Sequence, residues 1–304
     1  MRVTSIITVN YNQPAVTIDF LCSITQYAPS EGIEVILVDN APVENHEPEF
    51  SSAYNGLIYL KSEKNLGFAG GNNIGIKTAT GSYILLLNND TEITSRFIEA
   101  MVKEMEENPQ IGLLSPLIKY WDDKSIIQYA GFTKMNYFTA SNRGIGYLES
   151  DRGQFTNTSC ETGFCHGAAM MCRKADLEKA GLMDESYFLY YEELDWCEKF
   201  KAIGKKIWFT GKTYIYHKES MSVGQESPLK TYYMTRNRML YIRKNTNRFT
   251  GTFFNLYYVA FAIPGQLVKC LAKGRADLAK QSLKGLWWNL VHNKNSQATG
   301  YKAK

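Results

Sequence analysis

The run from Asn65 to Asp90, NLGFAGGNNIGIKTATGSYILLLNND, constrains the fold more than any other part of the chain. Glycines at 67, 70, 71 and 75 precede a helix that stops at Gly81, and the unbroken apolar segment Tyr83 to Leu87 then ends on Asn88, Asn89 and Asp90. A short apolar run without alternation fits a strand buried on both faces, as in a parallel sheet covered by helices. In such open α/β sheets ligands bind at the carboxyl ends of the strands. The run therefore predicts a glycine loop and an acidic strand end delivered to one sheet edge. The glycine spacing is neither G-x-G-x-x-G nor a P-loop. It allows backbone to approach a ligand, and the amides opening the following helix favour anionic groups. A plain tight turn satisfies the same pattern.

Other segments extend this α/β pattern. Val3–Val9, Ile33–Val38, Leu57–Leu60, Ile111–Ile118 and Gly167–Cys172 read as buried strands, and Lys206–Phe209 and Thr213–Tyr216 as two more. Val16, Phe20, Ile24 and Tyr27 recur at helical spacing behind Pro14, as do Phe97, Met101 and Met105 further on. Residues 119–160 lack periodicity and read as a functional loop region or lid. Cys160, Cys165, His166 and Cys172 cluster, but no paired C-x-x-C spacing is present, so they read as buried strand cysteines rather than a zinc site. Scattered thiols and no signal peptide at Met1–Asn10 point to a reducing compartment.

Charge divides the chain. Of 34 Lys/Arg and 30 Asp/Glu, residues 226–304 hold 14 basic and two acidic side chains, a balance of +12, which leaves −8 for residues 1–225. The expected organisation is an α/β domain over 1–225 and a basic helical extension over 226–304. Phe249–Val268 carries no charge over about 20 residues, the length of a bilayer crossing. Its Asn255, Pro264, Gly265 and Gln266 favour an interfacial or re-entrant helix over a span. Leu283, Leu286, Trp287 and Leu290 line one side of a lysine-flanked helix near 280–292, the pattern of a helix in a headgroup layer. The partner this implies is an anionic membrane surface rather than nucleic acid, because the lysines are interleaved with long apolar runs.

Several polar residues stand where chemistry is expected. Asp39 and Asn40 end the second strand, and a turn start is their alternative role. Asp90 suits a hard divalent cation carrying substrate phosphates, since Thr94 or Ser95 is available to cap the next helix. In YFLYYEELDWCEKF, residues 187–200, aromatics precede Glu192, Glu193, Asp195 and Glu198. A carboxylate beside an apolar pocket has the raised pKa that a general base requires, although acids also favour any first helical turn. His217 ends a strand and offers a pairing with Asp90. Tyr232, Tyr233, Arg236, Asn237, Arg238, Arg243 and Lys244 share an amphipathic helix whose arginines would meet a diphosphate or anionic lipid.

Taken together the chain resembles the family 2 inverting glycosyltransferases of the GT-A fold, in their bacterial rhamnosyltransferase-like branch. The resemblance runs in order through Val9-Asn10-Tyr11-Asn12, Val38-Asp39-Asn40, NLGFAGGNNIG at 65–75, Leu87-Asn88-Asn89-Asp90, Gly-Leu-Met-Asp-Glu at 181–185, YYEELDWC at 190–197, His217 and YYMTRN at 232–237. It implies a mixed, mainly parallel Rossmann-like sheet flanked by helices, with a membrane-associating helical extension. Asp39 would hold the base or ribose, with Asn10 beside it, and Asn65, Gly67, Gly71 and Asn72 would line the nucleotide sugar. Asp90 and His217 would ligate Mg2+ or Mn2+, and Asn89 beside them would bind substrate. Asp184 and Glu185 would lie at the substrate, and Arg236 and Asn237 near the diphosphate or acceptor. Glu193 would be the catalytic base, with Glu192 the alternative.

Two positions depart from the family pattern. Asn88 replaces the first metal-motif aspartate, so binding leans on Asp90, and the acid pair is Glu-Glu rather than Glu-Asp. The implied activity is hexosyl transfer, rhamnose included, from a UDP- or dTDP-sugar in preference to GDP, onto a glycan or polyprenyl-linked acceptor. The implied location is peripheral, on the inner face of the cell membrane. Two other readings use the same residues: a non-catalytic nucleotide-sugar-binding scaffold and a sugar nucleotidyltransferase. The latter carries a glycine loop directly after strand one, and here the first glycine is Gly32.

Overall fold

A computed structural model describes residues 3–29, 31–218 and 227–301. The expected division at 225/226 lies outside the described residues. The strands are β1 Thr4–Asn10, β2 Ile33–Asn40, β3 Ile58–Ser62, β4 Tyr83–Leu87, β5 Thr91–Ile93, β6 Ile111–Tyr120, β7 Ile127–Tyr129, β8 Ser159–Glu161, β9 Ala169–Arg173 and β10 Lys206–His217. They form one sheet in the order β3-β2-β1-β4-β9-β6-β10-β5, with β7 on β6 and β8 on β10. Strands β3, β2, β1 and β4 run parallel, and β6 runs parallel to β10. β9 is inserted antiparallel between β4 and β6.

Helices cover both faces. The cluster under α1 (Pro14–Tyr27), α2 (Glu47–Ala53) and α4 (Phe97–Glu107) joins Phe20, Phe50, Phe97, Met101 and Met105 to Ile6, Leu85 and Leu114. On the opposite face α3 (Gly67–Thr78), α5 (Lys174–Ala180) and α6 (Glu192–Ala202) bring Ile76, Leu177, Trp196 and Phe200 against Ile7, Ile36 and Leu86. The glycines of α3 explain how close it lies. A Cβ on Gly75 would sit 2.4 Å from Ile7 Cγ2, and one on Gly71 2.9 Å from Val9 Cγ1. The four glycines expected in a loop ahead of the helix thus lie inside it, and Gly71 and Gly75 let it pack closely on β1.

Four local expectations are corrected. The two segments expected at 206–209 and 213–216 are one strand, β10, whose register on β6 shifts between Thr210 and Tyr214. Residues 119–160 contain β7, the start of β8 and bridges Ile126–Ser150, Phe132–Gly144 and Asn136–Ser141, which fold the segment back on itself. Neither Thr94 nor Ser95 caps α4 with its side chain. The Thr94 carbonyl accepts from Phe97 N at 3.1 Å, while its hydroxyl donates to Tyr214 O at 2.7 Å. Cys172 lies in the core on β9, but Cys165 is buried in a loop and Cys160 is exposed.

After β10 come α7 (Pro228–Asn245), α8 (Arg248–Tyr257), a π-helical link Tyr258–Ala262, α9 (Ile263–Ala272) and α10 (Ala276–Val291). Tyr241, Leu240 and Met239 of α7 share a third core with Tyr187, Tyr191, Leu194 and Trp288. The uncharged run 249–268 is thus an interrupted rod, and no helix among the described residues is long and apolar enough to cross a membrane.

Candidate active site

The parallel register sets Asn10 opposite Asp39 at the carboxyl edge of β1 and β2. Asn10 Nδ2 donates to Asp39 Oδ1 at 2.8 Å, and Tyr59 OH donates to Oδ2 at 2.8 Å. Asp39 is fully buried, with both oxygens engaged by the protein. Asn40, beside it at the strand end, clamps the start of α3. Its Oδ1 accepts from Leu66 N at 2.9 Å, and its amide donates to Asn65 Oδ1 at 3.1 Å. Asn65 Oδ1 also accepts from Gly67 N at 2.8 Å. Gly67 adopts φ +70°, and a Cβ there would meet Phe188 O at 2.1 Å, so glycine is required by both conformation and space. Asn72 is buried, its amide donating to Phe68 O at 2.9 Å.

Asp90 and His217 are brought together by β5, whose antiparallel pairing places Thr91 opposite His217. His217 Nε2 lies 3.1 Å from Asp90 Oδ1, while Nδ1 meets Gln128 Oε1 at 2.8 Å. Burial pushes the Asp90 carboxyl up, but the attraction of His217 outweighs this and holds it below its ordinary value. Oδ1 is buried without an aligned hydrogen-bond donor. His166, which sequence reasoning assigned to the cysteine cluster, packs its ring 5.8 Å from that of His217. Burial, reinforced by His217, lowers its pKa to about 3 despite Asp90, so it is a neutral imidazole. An orphaned carboxylate oxygen beside an imidazole oriented by its far nitrogen suits a divalent ion such as Mg2+ or Mn2+. No cluster of three His, Cys, Asp or Glu metal ligands occurs among the described residues. The adjacent Asn89 donates to Thr17 Oγ1 at 2.8 Å.

The four acids of α6 separate into two pairs. Asp195 Oδ1 accepts from Tyr187 OH at 3.0 Å and Asn245 Nδ2 at 2.8 Å. Glu198 Oε1 accepts from Tyr137 OH, Tyr241 OH and Lys201 Nζ at 2.8, 3.0 and 2.9 Å. Both are therefore structural. Glu192 is 2% exposed, and its Oε2 has no partner. Burial, and then the charge of Glu193, push its carboxyl well up. Glu193 keeps part of its surface open, and burial raises its carboxyl to about 7. Of the pair, Glu193 is the more exposed.

The turn before α6 joins the two halves. Phe68 N donates to Phe188 O at 2.8 Å, and the Phe68 ring also lies 3.8 Å from a Cβ position on Gly167, beside His166. Asn73 bonds Glu185 Oε1 and Met183 O, each at 2.9 Å, tying α3 to this turn. Asp184 accepts from Ser186 N at 2.9 Å and pairs with Lys244. Arg236 and Asn237 are fully buried, bonded to backbone at 186–190. Arg238 donates to Tyr191 OH at 2.8 Å and Arg243 to Asn289 O at 3.0 Å. Arg236, Arg238, Arg243 and Lys244, expected at a diphosphate or an anionic lipid, each have a partner within the protein.

Residues 5–181 match the model of glycosyl transferase family 2. The chain is 26% identical over 223 residues to the low-salt glycan biosynthesis hexosyltransferase Agl10 of Haloferax volcanii, covering 70% of this chain and 69% of that one. It is 20% identical over 227 residues to an N-acetylglucosaminyl-diphospho-decaprenol L-rhamnosyltransferase of Mycobacterium tuberculosis, covering 68% and 73%. The mannosyltransferase PcManGT of Pyrobaculum calidifontis, solved with GDP-Man and Mn2+, superposes with a TM-score of 0.59 at 12% identity over 95% of this chain and 88% of that one. Alignments cover from 27% to 73% of the matched curated relatives' own lengths. A family match over more than half the chain, together with a mostly parallel sheet of the GT-A kind, establishes that the chain belongs to glycosyl transferase family 2.

Proposed function

We propose that the protein is an inverting, metal-dependent hexosyltransferase. It would move a sugar, rhamnose among the candidates, from a nucleoside-diphosphate donor to a hydroxyl of a glycan or polyprenyl-linked acceptor. The observation that carries this reading is Glu193, a part-exposed carboxyl at the start of α6, raised to about 7 by burial and held behind a turn whose Phe188 carbonyl accepts from Phe68 N of α3. Ionised Glu193 accepts the acceptor hydroxyl proton as that oxygen bonds to the anomeric carbon from the face opposite the leaving group. The anomeric carbon–oxygen bond to the diphosphate breaks, and its electron pair leaves with the nucleoside diphosphate. One such displacement inverts the anomeric centre. Asp90 and His217 would hold Mg2+ or Mn2+, which when bound supplies Lewis-acid neutralisation of the departing diphosphate. The start of α3 and the β1–β2 edge would shape the donor side, with Asp39, Asn10 and Asn40 as its floor.

The reading includes a peripheral place on the inner face of the cell membrane. Phe249, Phe253, Leu256 and Val268 on the α8–α9 rod and Leu283, Trp287 and Leu290 on α10 are exposed. Lys269, Lys280, Lys284 and Lys294 are exposed on the same helices or just after them. Apolar side chains rimmed by lysines suit an anionic headgroup layer.

Transfer is tested by incubating the protein with UDP-, dTDP- and GDP-sugars, Mn2+ and a polyprenyl-diphosphate glycan, and reading the product anomer by NMR. An inverted product from one donor, lost in Glu193→Gln, is expected. A retained anomeric configuration, or no transfer from any of the three donor classes, overturns it.

A further inference from the structure

We infer that Asn237 is a positioning residue for the catalytic base, holding the strained turn from which Glu193 projects. The inference rests on Glu193 being the base. Phe188, Tyr190 and Tyr191 have φ of +65°, +68° and +76°. Non-glycine residues are strained in that region and persist only where the surroundings over-determine them. Asn237 supplies the determination. Its Nδ2 lies 3.0, 2.8 and 2.7 Å from the carbonyl oxygens of Tyr187, Leu189 and Tyr190, so one amide group gathers three carbonyls of the turn. Asn237 Oδ1 accepts from Arg236 Nη1 at 2.7 Å, which fixes which end of the amide faces the turn. Arg236 adds Nη2 to Ser186 O at 2.6 Å and Nη1 to Tyr187 O at 3.3 Å.

The brace is anchored on α10. The Arg236 guanidinium stands 4.1 Å over the Trp288 ring, and its carbonyl accepts from Asn289 Nδ2 at 2.9 Å, both on α10. Asn237 is fully buried and its polar atoms are occupied, so it does not touch a donor or acceptor. It acts through the turn, where a displacement of ~1 Å at the base is enough to cost ~100-fold in rate.

The test compares Asn237→Ala, Asn237→Ser and Glu193→Gln as full-length proteins, measuring kcat, donor KM, nucleotide Kd and thermal midpoint. Asn237→Ala should lower kcat by ~10- to 100-fold with donor KM and nucleotide Kd within about twofold of the parent, and Asn237→Ser, which keeps one donor, should fall between. Unchanged kcat with only a lower midpoint overturns the inference. A proportional rise in donor KM and Kd also overturns it, by returning Asn237 to donor binding. If Asn237→Ala does not accumulate folded, Asn237→Ser is read by the same split. An inactive Glu193→Gln beside a fully active Asn237→Ala removes only the positioning role, whereas an active Glu193→Gln removes the base assignment beneath it.

Discussion

Glu193 carries both a catalytic and a stability signature. Its folded pKa of about 7 lies above the ordinary 4.5, so between those values the folded chain binds more protons than the unfolded one. Stability from this group is present below pH 4.5 and declines as pH rises through about 7. Catalysis runs the other way, because the base works ionised, and kcat should climb across the same window. Urea midpoints at pH 5 and pH 8 should therefore differ more in the parent than in Glu193→Gln, and equal differences would contradict a desolvated carboxyl. Asp90 makes a separate prediction. With its unpartnered Oδ1 beside His217, Asp90→Ala should abolish the gain in nucleotide affinity on adding Mn2+, read by calorimetry with and without the ion. An undiminished Mn2+ effect would sink the ligand assignment.

Helix α3 begins earlier than its sequence suggests, because glycines 67, 70, 71 and 75, expected in a loop before it, lie inside it where close packing on β1 needs them. Alanine in a helix gains ~1 kcal/mol over glycine, but overpacking a dense core costs ~1–3 kcal/mol. With Ile7, a β-branched residue on a buried strand, only 2.4 Å from the new Cβ, the packing cost wins and Gly75→Ala should lower the thermal midpoint. Gly71→Ala, 2.9 Å from Val9, should do the same with donor affinity unchanged, and lost affinity at an unchanged midpoint would instead put Gly71 against the ligand. Strands β1, β2, β4 and β6 were legible because burial on both faces leaves continuous apolar runs. Strand β5 was not, since three residues carry no period and its partner β10 lies over a hundred residues downstream. Yet β5 is what sets Asp90 beside His217. The type and position of Asn237 were legible and its role was not, because its three carbonyl partners are 47 to 50 residues upstream and their positive φ has no sequence signal.

At the scale of the molecule, the charge division of the sequence does not mark a separable appendage. Helix α7 contributes Met239, Leu240 and Tyr241 to the core that holds Tyr191 and Leu194, and α10 holds Arg236. Truncation after Asn247 removes Trp288 and Asn289 along with the exposed face, so it should abolish transfer as well as any membrane association. Separating the two effects requires substitutions on the outer side of α10 alone. Trp287 and Leu290 are 63% and 65% exposed, so replacing both with serine leaves the core intact. Burying each such side chain in a lipid interface is worth ~1.5–3 kcal/mol, and losing both should weaken partitioning by more than ~100-fold. Sedimentation with vesicles containing anionic lipid should therefore fall to background in Trp287→Ser/Leu290→Ser, while kcat on a soluble acceptor stays at the parental value. Parental sedimentation of that variant would exclude α10 from the docking face, and a matching loss of kcat would show that this outer surface also supports the brace on Asn237.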